Sequence, residues 1–194
     1  MAVIAREALG SGRTAATGGP VVADVRTRDG LGFVLLLHRR DDGQVAEELF
    51  YALRDPADGA GTPGWTDCDH LGGGLLGFDP ADPAAVAEVL AGRATAVVSA
   101  SESLVYTGRV PTEDDGYELV CAVRLLVGPE AGFLDVENVA DPAGPVRHHR
   151  RLASPLALAV LLPGDRLRVR AARAAGAGYE PVGDGIALAH PHAA

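Results

Sequence analysis

From Pro20 onward the chain is a succession of short apolar runs separated by turn residues. Residues 21–27 and 31–39 read as strands on either side of Asp29-Gly30, and Asp41-Asp42-Gly43 turns the chain into a third strand over 45–54. Asp-Gly between apolar runs predicts a hairpin, because tight strand connections need left-handed backbone that Gly adopts freely and Asp tolerates. Residues 94–100 and 103–110 predict two more strands. Residues 117–127 predict another, with Leu119, Cys121, Val123, Leu125 and Val127 alternating onto one face. Residues 133–139 follow as a strand. Residues 156–162 are apolar on both faces, as a central strand requires. Pro163-Gly164 then fits the central positions of a type II turn into 166–170, where Leu167 and Val169 alternate with Arg166, Arg168 and Arg170.

Only residues 83–90 carry helical spacing, through Ala84, Val86, Ala87 and Leu90, with Asp82 as N-cap and Gly92 as stop. Residues 55–82, rich in Gly, Pro and Asp, predict the longest irregular stretch, anchored by Trp65 and Leu75-Leu76. Residues 1–19 predict a flexible lead-in. Nine or ten short strands at this spacing predict a mainly β fold, a two-sheet antiparallel β-sandwich with one short helix over residues 20–194.

The length of 194 residues suits one domain. Apolar residues are 47% of the chain but aromatics only 5%, so Leu, Val and Ala must fill the core. All 17 basic residues are arginine, which together with the Ala and Gly excess reflects GC-rich coding rather than function. A net charge of −9 argues against general nucleic-acid affinity, since a phosphate backbone attracts basic surfaces, and it permits cation binding. Cys68 and Cys121 are too few for a disulfide framework, and two reduced thiols are the simpler reading. There is no signal-peptide core and no apolar run near the ~20 residues that span a bilayer, so a cytoplasmic protein without a transmembrane segment is expected.

The acids gather in turns, and carboxylates converging from neighbouring loops could bind calcium, which prefers six to eight oxygen ligands. Asp is equally a good solvated turn residue. Asp67-x-Asp69 with Gly72 resembles the start of an EF-hand loop but has Leu71 at its fifth position and Phe78 at its twelfth. Cys68-x-His70 with His148-His149 offers zinc ligands at a spacing that fits no closed site. Residues 147–173 hold seven arginines against the single acid Asp165, so Arg166, Arg168 and Arg170 form a candidate surface for an anion or partner, or a plain solvated strand face. There is no Gly-x-Ser-x-Gly elbow, no His-Glu-x-x-His and no phosphate-cradling glycine loop.

The order of features resembles the TerD family of tellurium-resistance and stress proteins. Asp24-Val25-Arg26-Thr27 is similar to the family's early Asp-Val-Arg strand, and Asp42-Gly43-Gln44-Val45 to its Asp-Gly-Lys-Val turn. Phe50-Tyr51 with Pro56 and Asp58-Gly59 resembles its Phe-Tyr-Asn-x-Pro…Asp-Gly segment, and Gly77-Phe78-Asp79 with Pro83-Ala84-Ala85-Val86 its Phe-Asp-Leu…Pro-x-x-Val segment. Arg166 to Ala171 with Gly176-Ala177-Gly178-Tyr179 resembles its Trp-Lys-Phe-Arg-Ala…Gly-Gln-Gly-Tyr. The likeness runs over roughly residues 20–190. It implies a bacterial, non-enzymatic stress-response protein that acts through a protein partner or a homo-oligomer, with calcium as the family's cofactor. The family's Asp-Leu-Asp run is replaced here by 33–37, and its Gly-Asp-Asp-Glu loop by 70–75, neither with a carboxylate. A hard-cation site without its anionic oxygens is degenerate. Asp55, Asp58, Asp67 and Asp69 remain as the nearest metal ligands. Two other readings stay open: a jelly-roll or immunoglobulin-like ligand-binding or assembly module, and a hydrolase using Cys68 or a serine with a distant His.

Overall fold

Period-2 alternation becomes an antiparallel, mainly β architecture in the computed structural model, which describes residues 1–11, 19–55, 64–109, 115–140 and 144–191. The elements in chain order are α1 (Ala2–Ser11), β1 (Val21–Arg28), β2 (Leu31–Arg39), β3 (Val45–Leu53), β4 (Asp69–Leu75), α2 (Pro83–Leu90), β5 (Thr95–Tyr106), β6 (Tyr117–Val127), β7 (Phe133–Asn138), β8 (Val146–Arg151), β9 (Leu156–Leu161), β10 (Arg166–Ala175) and β11 (Gly178–Ala189). They divide into two compact units, Met1–Asp79 and Pro80–Ala194. Among the described residues no helix is long and apolar enough to cross a membrane.

The first unit is a four-stranded meander in the order β1-β2-β3-β4 with α1 on one face. The Asp29-Gly30 connection has both residues at positive φ, 51° and 79°, the backbone of the tight hairpin its sequence predicts. Helix α1 differs from the expected lead-in. Ala5, Ala8 and Leu9 lie at i, i+3 and i+4 and bury against Val34, Leu36, Phe50 and Ala52, while Arg6 and Glu7 face water. Gly32 makes room for this docking, since a Cβ there would stand 2.6 Å from a Leu9 methyl and 2.8 Å from the Trp65 ring. Strand β4 also departs from the expected irregular stretch. Its backbone pairs with β3, but Gly72-Gly73-Gly74 carries no side chains from which alternation could be read.

The second unit holds two facing sheets, β5-β6-β9 and β11-β10-β7-β8. Val123, Leu125, Ala157 and Leu161 from the first sheet pack with Leu134, Val136, Val169 and Ala171 from the second. Helix α2 spans the predicted residues. The Asp82 side chain accepts from Ala84 N–H at 2.9 Å, and Ala91 closes the helix in a left-handed conformation. The two strands expected over 94–110 are one, β5, interrupted by a bulge between Val97 and Ser99. Strands β8 and β11 have no counterpart in the sequence prediction: β8 is polar on both faces, and β11 carries Gly178, Pro181, Gly183 and Gly185.

Between β10 and β11, Val169 pairs with Ile186 and Ala171 with Val182, so Gly183-Asp184-Gly185 oppose a single residue, Arg170. Gly183 sits at φ +64°, and a methyl there would lie 2.8 Å from the Ala94 Cβ. Gly176 has a similar φ of +58° with open space around its α-carbon. Gly176→Ala therefore reads the backbone cost alone, about 1 kcal/mol. Gly183→Ala adds overlap with Ala94 and is expected to cost about 2–4 kcal/mol. Urea unfolding of both variants checks this, and equal losses would remove the close approach as the cause.

Candidate functional site

The β2–β3 turn and the segment after β4 meet at one place in the first unit. Gly43 at φ +82° lets the turn close, with Arg40 N–H donating to Gln44 O and Gly43 N–H donating to Arg40 O, both at 2.9 Å. The Asp42 carboxylate accepts from Gln44 N–H at 3.1 Å. Leu76 N–H donates to Val45 O at 3.1 Å and brings the chain back along this turn, and Gly77 at φ +76° then redirects it. The result sets the Asp79 carboxylate against the Arg39 guanidinium, whose Nη1 also donates to Gly43 O at 2.7 Å. Arg39, Gly43, Gln44, Val45, Gly77, Phe78 and Asp79 enclose a cavity of about 290 Å³. Its lining presents a guanidinium, a carboxylate and a primary amide, with no hydroxyl, thiol or imidazole. Such a set can recognise polar groups by charge and hydrogen bonding.

The acids expected to bind metal are not drawn together by the described residues. Asp67 accepts from Arg6 at 2.8 Å and is almost wholly exposed. Asp69 opens β4 opposite Tyr51, and Asp55 follows β3 with its N–H donating to Gly64 O at 3.0 Å. Asp58 lies outside the described residues. Among the described residues no three His, Cys, Asp or Glu side chains are grouped to hold a metal ion.

Cys68 packs in the core beneath α1, and both cysteines are free and buried. Burial pushes the Cys68 thiol up, with Asp67 and Asp69 adding to the rise and Arg6 opposing it. Burial likewise raises Cys121. Neither is a poised nucleophile. His70 turns to Glu48 instead of forming a Cys-His pair, and its ring lies 5.1 Å from that of Phe50. His38 Nε2 approaches the other Glu48 oxygen at 3.5 Å. This His-Glu-His line crosses three strands, and only the strand register could have disclosed it.

The arginine segment of the sequence becomes part of the outer face of the β11-β10-β7-β8 sheet. Across it, Arg147, Glu137 and Arg168 stand in one row, and His149, Asp135 and Arg170 in the next. Arg168 donates to Glu137 at 3.0 Å, while Arg166, at the start of β10, is exposed. Arg147 grips the buried Asp135 with two donors, Nε at 2.6 Å and Nη2. Tyr179 stacks on His149 with centroids 4.0 Å apart, and Phe133 meets the Tyr179 ring edge-on at 4.8 Å. The predicted anion surface is thus interleaved with carboxylates from β7, which sequence inspection could not align with it.

The chain matches no protein-family model, no curated protein and no solved structure.

The Arg147 hydrogen bond holds the Asp135 carboxyl below the usual carboxylate range, against the opposing push of burial, with the charges of Arg147, His149 and Arg170 assisting. A carboxyl depressed in the folded state contributes stability above its unfolded pKa, and this is lost as pH falls through the folded value. Asp135→Asn should therefore lower the urea midpoint at pH 7, with the deficit shrinking below about pH 4, where a free aspartate protonates. A deficit independent of pH would show that packing alone is at stake. For the thiols, labelling by a disulfide reagent should be slow in buffer and fast in guanidinium, and rapid labelling of the native protein would contradict their burial.

Proposed function

We propose that this chain is a non-enzymatic, TerD-like stress-response protein of the bacterial cytoplasm that acts by binding a protein partner or a second copy of itself. The observation that carries the reading is spatial. Gly43-Gln44-Val45 and Gly77-Phe78-Asp79, from two separate segments of the resemblance, line one cavity and are tied together by Arg39. A third resembling pair, Arg166 to Ala171 and Gly176 to Tyr179, supports it as the two arms and the turn of the β10–β11 hairpin. The guanidinium and carboxylate of the lining are already paired with each other, which supports recognition over bond-making. In this reading any calcium site is degenerate, with Asp55, Asp58, Asp67 and Asp69 as its residual ligands.

Expression of the chain in a tellurite-sensitive bacterium is expected to raise the tolerated tellurite concentration. Arg39→Ala or Asp79→Ala should abolish the gain while leaving thermal melting near that of the parent. Unchanged tolerance with the intact chain would sink the proposal. Millimolar calcium should leave the melting curve unmoved, whereas a working site at 100 times its Kd would stabilise by about 2.7 kcal/mol.

A further inference from the structure

A second cavity, of about 490 Å³, opens in the Pro80–Ala194 unit where the beginning of β5 faces the Gly183-Asp184-Gly185 bulge of β11. Its polar groups are unusual in being uncommitted. Arg93 is tethered at Nε, which donates to Leu90 O at 3.1 Å, and its two terminal nitrogens form no bond with the described residues. Asp184, exposed at the tip of the bulge, forms no ion pair or hydrogen bond among them either. A cation and an anion therefore share one cavity without pairing with each other.

The geometry points to this cavity as a binding site for a small zwitterion, an α-amino acid with an apolar side chain. Its carboxylate pairs with Arg93 and its ammonium with Asp184. Ala94, Ala96, Val97 and Ile186 supply an apolar wall for the side chain. No aromatic ring lines the cavity, which disfavours a nucleobase that needs a stacking platform. A phosphate would be repelled by Asp184, and the absence of His and Cys from the lining removes soft-metal ligation. The bulge builds the site: a regular strand would present one residue here, whereas Gly183 and Gly185 hold Asp184 out between them.

The test is calorimetric titration of the full chain with L-leucine and L-valine, beside isovalerate and isoamylamine as analogues bearing one charge only. Saturable binding of the amino acids is expected, with each analogue weaker by about tenfold or more, since each lacks one charged hydrogen-bonding group. Arg93→Gln and Asp184→Asn should each weaken leucine by a similar factor with unchanged unfolding midpoints. No saturable binding at tens of millimolar overturns the assignment. So does equal binding of the single-charge analogues, or leucine affinity indifferent to both charge substitutions.

Discussion

A strand buried on both faces tolerates no unpaired backbone group and almost no polar side chain, and β6 imposes that constraint here. Val120 to Val127 are buried without interruption, and the strand is hydrogen-bonded to β5 on one side and β9 on the other. Alternate residues, Cys121, Val123, Leu125 and Val127, face the second sheet of the sandwich. Shifting the register by one residue would exchange this set with Val120, Ala122, Arg124 and Leu126, driving a guanidinium into the intersheet core. Arg124 is tolerated where it stands, only 2% exposed, because it donates to the Ser101 hydroxyl and to Ala122 O. The pairing of β6 thereby fixes which side of its neighbours looks inward, and β5 in turn supplies one wall of the zwitterion cavity.

Legibility in the sequence followed how locally each element is determined. The β1–β2–β3 meander was readable because its turns carry Asp-Gly and its strands are apolar, and α2 because Asp82-Pro83 announces a helix start. Helix α1 was obscured by Arg6 and Glu7, which break an apolar run yet fall on the solvent face of a helix. Strands β4, β8 and β11 were hidden for a common reason: they sit at sheet edges, where pairing with a neighbour rather than their own side chains makes them strands. The candidate sites divide in the same way. Residue types such as Asp42, Asp79 and the arginines were visible, but the meeting of Arg39 with Asp79, the Glu48 carboxylate between two imidazoles, and the bulge at Asp184 are consequences of register.

Charge is handled by local neutralisation. The outer face of the β11-β10-β7-β8 sheet places carboxylates of β7 between the arginines of β8 and β10, giving rows of alternating sign. Exposed pairs of this kind contribute little to stability individually, whereas the grip of Arg147 on buried Asp135 offsets a real desolvation cost. Of the two cavities, only the second departs from that pattern. One holds an arginine and an aspartate already joined, and the other holds the same two residue types apart.

The reach of Tyr179 has a consequence for the margin of the sheet. Strand β8 contributes no side chain to the apolar core, so its own residues hold it only through its ladder with β7 and the polar contacts of its arginines and histidines. Tyr179, rooted in β11 at the opposite border, lays its ring on His149 and so straps one border to the other across two intervening strands. Fraying of β8 is thereby coupled to a residue near the β10–β11 turn. Separation of β8 from the sheet at His149 therefore breaks a ring contact with that distant hairpin as well as its own ladder.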